Sequence, residues 1–151
     1  MKSLERQVGG THYMTMALQP NEFAMANGWD AAAYAILKYV SRHQGKNGFE
    51  DLSKAHHYVA IRQDLQQPAW QKTGYVIHNG VLCAPLGTHT VYNDRRVSMD
   101  AYIHANMIPN LEARVLQVLD KWVAEGELSQ LNFTLESQIS FLAYQTYGKV
   151  I

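Results

Sequence analysis

A chain of 151 residues, 47% hydrophobic and 17% charged, can bury a core and is too weakly charged to be a disordered acidic or basic tail. Thirteen lysines and arginines balance thirteen aspartates and glutamates, so no global field recruits DNA or RNA, and nucleic acid is not the expected partner. The single cysteine, Cys83, excludes an internal disulfide and a four-cysteine zinc site, and a reducing cytoplasm is the expected compartment.

In chain order, residues 1–10 read as a loose lead-in without the apolar run of a signal peptide. No run of 18 apolar residues is present to cross a membrane. Gly9-Gly10-Thr11-His12-Tyr13 reads as a turn presenting a His-Tyr pair. Pro20 suits the first position of a helix that stops at Gly28. Asp30 can cap a second helix over about 31–43, with Ala33, Ile36, Leu37 and Val40 as its apolar stripe. Gln44-Gly45-Lys46-Asn47-Gly48 breaks it. A third helix follows over about 49–66, with Phe49, Leu52, Ala55, His56 and Val59 on its core side and Pro68 as its stop.

After Pro68 the character changes. Strand-like residues 73–77 and 81–84 flank Asn79-Gly80, a strong hairpin signal, and 88–98 suggest a second extended pair around Asn93-Asp94. Residues 111–125 form an amphipathic pattern through Leu111, Val115, Val118, Leu119 and Trp122, ended by Gly126. Residues 134–147 form a last helix through Leu135, Ile139 and Leu142. The expected class is mainly α (α+β): a three-helix module over 1–67, then a β-hairpin region and two helices over 68–151.

The chemistry-bearing residues concentrate in the second and third helices. Tyr34, Lys38 and Arg42 fall at i, i+4 and i+8, and Asp51, Lys54 and Tyr58 at i, i+3 and i+7. In an antiparallel hairpin the two faces line one groove, with Lys46 just past the first helix. Such a groove suits a nucleotide: lysine and arginine neutralise phosphate, aromatic rings stack on bases, and a carboxylate can hold Mg²⁺. The plainer reading is a solvated helix face, with Glu50 and Lys54 an ordinary i,i+4 pair.

Known signatures are absent. Gly45-Lys46 is followed by Asn47 rather than Ser or Thr, so there is no Walker A loop. The histidines are scattered, no His-Glu-x-x-His occurs, and the adjacent His56 and His57 point to different helix faces, so zinc is not expected. Cys83 reads as packing. The last two helices have the size of a helix-turn-helix but lack the basic and amide side chains of a recognition helix.

Three ordered blocks carry a family resemblance: His12-Tyr13; Ile36-Leu37-Lys38-Tyr39 with Arg42 and Gly45-Lys46; and Glu50-Asp51-Leu52-Ser53-Lys54-Ala55 with Tyr58. Over residues 9–66 the chain resembles the small phage proteins called SaV-like, or phage nucleotide kinases. The resemblance implies a phage origin, a helical core and, in one branch, nucleoside monophosphate kinase activity without a P-loop, using ATP and Mg²⁺. It implies His12, Arg42 and Asp51 as catalytic, Asp51 as the Mg²⁺ ligand, and Tyr13, Lys38, Tyr39, Lys46, Lys54 and Tyr58 as substrate-binding. The chain departs from the pattern in Arg42-His43-Gln44-Gly45-Lys46, one residue longer than usual, which shifts Lys46 relative to Arg42.

The leading expectation is therefore phosphoryl transfer to a nucleoside monophosphate in the host cytoplasm. The alternatives are a phage anti-defence protein that sequesters a nucleotide signal, or one that binds a host protein. Trp122, Tyr144 and Tyr147 can anchor such a partner, or serve as core and self-association residues. Low net charge with nine tyrosines and three tryptophans points to a homo-oligomer.

Overall fold

The computed structural model describes residues 3–65, 97–125 and 130–151, together with the backbone of 76–78 and 81–83. Six helices carry the described fold: α1 (Pro20–Ala26), α2 (Ala31–Arg42), α3 (Phe49–Leu65), α4 (Met99–Ala105), α5 (Asn110–Glu125) and α6 (Asn132–Tyr147). A single 3₁₀ turn, His43–Gly45, joins α2 to the loop before α3. Between α3 and α4 the backbone of Val76–His78 pairs antiparallel with that of Val81–Cys83. The Asn79-Gly80 turn and the second extended pair expected around Asn93-Asp94 lie outside the described residues.

Local chemistry sets the helix ends. Pro20 opens α1, where its missing N–H costs nothing. Gly28 takes φ +65°, a left-handed conformation that suits glycine, and the Trp29 N–H then donates back to the Ala24 carbonyl at 2.9 Å. The Asp30 carboxylate caps α2 by accepting the Ala33 N–H at 2.8 Å. α2 and α3 run antiparallel: Asp30 at the start of one meets Arg62 near the end of the other, and Arg42 meets Asp51 at the opposite end.

The apolar stripe of α2 faces a core shared by both halves of the chain. Ile36, Leu37, Val40, Leu52 and Val59 pack in one cluster with Leu116, Leu119, Trp122, Leu135, Ile139 and Leu142, all about fully buried. α3 and α6 pack together, as do α5 and α6 and α2 and α5, while α1 lies on α2 and α4 on α5. Trp122 is thus a core residue, and Tyr147 packs partly buried against that core, while Tyr144 is exposed. The three do not form one surface anchor. Among the described residues no helix is long and apolar enough to cross a membrane.

Two expectations change. α4 was not anticipated; Ser98 caps it by accepting the Ala101 N–H, and Tyr102 carries it into the core. On α3, His56 is only half-buried, because Leu52, Ala55 and Val59 fill the inward face.

A buried polar tie crosses between the halves. His43, 1% exposed, donates from Nε2 to Glu112 Oε1 at 2.8 Å, and its Nδ1 lies 2.7 Å from the Tyr147 hydroxyl. The Gln44 amide donates to the same Glu112 oxygen at 2.6 Å. Burial alone pushes the Glu112 carboxyl up, but the bonds from His43, its own backbone N–H and Gln44 outweigh it and hold the carboxyl below its ordinary 4.5. A depressed carboxyl contributes stability that is full above its unfolded value and is lost as pH falls through the folded one. Glu112→Gln is therefore expected to lower stability at neutral pH by about 1–3 kcal/mol, with the gap to the parent protein closing as the pH falls below 4.5. Urea unfolding at a series of pH values measures this; a gap that stays constant with pH would show that the carboxylate charge is not involved.

Candidate functional site

Arg42, the last residue of α2, is the centre of the site. Its Nε and Nη2 donate to the two carboxylate oxygens of Asp51, each at 3.1 Å, and its Nη1 donates to the Tyr13 hydroxyl at 3.1 Å. Asp51 is 0% exposed, in the first turn of α3, where the helix dipole favours a negative charge. The guanidinium carbon also lies 4.9 Å from the centroid of the Tyr39 ring. A planar fork held on three sides has little orientation left to lose when it meets an anion.

The residues before α1 are not a loose lead-in. The Gln7 side chain accepts the Tyr13 N–H at 2.8 Å and donates from its amide to His12 Nδ1 at 3.0 Å. Gln19 donates to the Leu4 carbonyl at 2.7 Å. These bonds bring His12 and Tyr13 onto the end of α2. Burial lowers the His12 pKa, and the nearby Lys46 and Arg42 charges lower it further against the opposing pull of Asp51.

Cations and rings alternate around Tyr39. Lys38 Nζ is 4.6 Å from its centroid and 5.4 Å from that of Tyr34; Lys54 Nζ is 5.8 Å from Tyr39 and pairs with Glu50 at 2.9 Å. The Tyr58 ring lies 6.1 Å from that of Tyr39. Burial lowers the Lys38 pKa, and the Arg42, Lys46 and Lys54 charges add to that against the opposing pull of Asp51. The site thus has an excess of positive charge.

All nine residues singled out in the sequence meet here: His12, Tyr13, Lys38, Tyr39, Arg42, Lys46, Asp51, Lys54 and Tyr58. The role of Asp51 differs from the one expected of it. A Mg²⁺ ligand needs an oxygen presented to solvent or substrate, and both oxygens of this fully buried carboxylate are taken by Arg42. Among the described residues no group of three or more His, Cys, Asp or Glu side chains is placed to hold a metal ion. The described residues of the site do not fit a protein-held Mg²⁺, and Asp51 is the buttress of Arg42.

Sequence reasoning missed Gln7, which fixes the His-Tyr turn, and Glu112, which fixes the turn between Arg42 and Lys46. A hollow of about 450 Å³ opens elsewhere, beside Ser98, Asp100, Asp120 and Lys121. Its two carboxylates against one lysine give it the wrong sign for phosphate.

Residues 10–60 match the family model DUF3310, described as a protein family of unknown function. The chain is similar to that family over those residues, which hold every member of the site. No curated protein and no solved structure matches the chain.

The buttress role has a measurable consequence. Removing one partner of a buried ion pair leaves the other charge uncompensated, so Asp51→Ala is expected to cost about 3 kcal/mol of stability in urea unfolding. A carboxylate kept for a ligand would behave oppositely, and its removal would leave stability unchanged or raised.

Proposed function

We propose that this protein binds a nucleotide, with the phosphate held by Lys38, Arg42 and Lys46. One observation carries the reading: these cations are gathered at one helix end, while the two carboxylates among them are already engaged, Asp51 by Arg42 and Glu50 by Lys54. Of the five N–H donors of a guanidinium, Arg42 uses three on Asp51 and Tyr13, leaving two for a ligand oxygen among the described residues. The His12 ring, held by the Gln7 amide, adds a hydrogen-bonding group at the same end.

The likeness of the three sequence blocks to phage nucleotide kinases supports the same ligand class. The geometry favours binding over the metal-assisted transfer implied by that likeness, because Asp51 offers no coordination position. In a transferase, Mg²⁺ would have to arrive on the nucleotide's own phosphates.

A thermal-shift screen tests this. Nucleoside mono-, di- and triphosphates and cyclic nucleotides are added to the protein with and without Mg²⁺, and a ligand that binds the native state raises Tm. A rise without metal is expected, diminishing with added salt. Lys38→Ala and Lys46→Ala are each expected to weaken binding by about tenfold, the scale of one charge-assisted contact, without lowering the Tm of the free protein. No shift with any nucleotide, in folded protein, would remove the reading.

A further inference from the structure

A second hollow, of about 200 Å³, lies between α1 and α2, and its lining is mostly apolar: Ala24, Met25, Trp29, Ala31 and Tyr34, with Asn21 and Asp30 as the polar members. Its volume falls below the roughly 300–1,000 Å³ of pockets that enclose a whole small molecule. A space of this size houses one part of a larger ligand.

The hollow and the cationic site share one side chain. Tyr34 lines it, and the same ring lies 5.4 Å from Lys38 Nζ. Lys38 follows Tyr34 by four residues, about 6 Å along the helix axis, which is the scale of a sugar between a base and its phosphate.

The hollow's walls suit a flat heterocycle. Trp29 packs edge-on against Phe23 at 5.1 Å, which holds its ring in place without filling the hollow. Asp30 is committed to the Ala33 N–H and to Arg62, so it does not bring an unengaged carboxylate toward the ligand. Asn21, whose amide oxygen accepts the Glu22 N–H at 2.9 Å, supplies its NH2 group as a donor to a base edge. The alternative platform, Tyr39, already has Lys38, Arg42 and Lys54 around its ring.

We infer that this hollow is the base subsite of the nucleotide site: the heterocycle sits against Trp29 and Tyr34 while its phosphate lies on Lys38, the cation of the site that stands beside Tyr34. The inference rests on the nucleotide reading above and adds where the base goes.

The test separates the two. Calorimetric titrations compare the monophosphates of adenosine, guanosine, cytidine and thymidine with ribose phosphate, which carries no base. In the parent protein at least one nucleotide is expected to bind about five- to a hundredfold tighter than ribose phosphate, the range of one stacked base. Ala31→Leu fills the hollow from an exposed position at the start of α2, and leucine is a good helix former. It is expected to erase that gain while leaving ribose phosphate affinity unchanged. Met25→Ala, at a side chain 84% exposed, is expected to reduce the gain without touching the fold. Nucleotides binding no tighter than ribose phosphate, or a gain that survives both substitutions, would overturn the base subsite and leave the phosphate site standing. No binding of any of these compounds would overturn both.

Discussion

The site depends on one buried ion pair. Taking Arg42 and Asp51 out of water is costly, and only close geometry with further hydrogen bonds offsets that cost. Here the fork meets both carboxylate oxygens, the carboxylate sits in the first turn of α3, and the Tyr13 hydroxyl takes another guanidinium N–H. The pair does two things at once. It fixes one end of the α2–α3 hairpin, as Asp30 and Arg62 fix the other. It also fixes the plane of a cation at the surface, and that plane is the reference for Tyr13, Tyr39 and the lysines around it.

The second constraint comes from far along the chain. The turn between Arg42 and Lys46 is held from outside the α2–α3 hairpin, by Glu112 of α5 through His43 and Gln44, and by Tyr147 of α6 through His43. Gly48 completes it with φ +57°; a Cβ there would come within 3.4 Å of the Tyr147 ring. The turn runs from Arg42 to Lys46 through the 3₁₀ residues His43–Gly45. It sends His43 inward, 1% exposed, and returns the chain with Lys46 near His12 and Lys38. Residues outside the family match at 10–60 therefore set the geometry of residues within it.

How much of this the sequence reveals follows from what is local. Helical periodicity and caps place α2, α3, α5 and α6 within a residue or two, because the stripe of Ile36, Leu37 and Val40 and the Asp30 cap are written in adjacent turns. The cation–aromatic cluster is legible too, since residues four apart on one helix must share a face. α4 is hidden because seven residues give too few turns for a period to show. The roles of Asp51, Gln7 and Glu112 are hidden for another reason: residue type and spacing do not reveal burial or a distant partner. An aspartate beside arginines and lysines looks like a metal ligand until its oxygens are seen to be taken. Glu112 reads as a surface charge on α5 until His43, 69 residues away, is seen against it.

A chain of zero net charge concentrates cations at one helix end, and burial, with the neighbouring positive charges adding to it, lowers the pKa of the Lys38 amine. In the proposed nucleotide site, an arriving phosphate relieves the repulsion among these cations. The same field acts on the form of the ligand. A magnesium complex brings two positive charges toward Lys38, Arg42 and Lys46 and finds no unengaged carboxylate on Asp51 to receive them. By Coulomb's law, the proposed nucleotide site favours the bare anion over its metal complex.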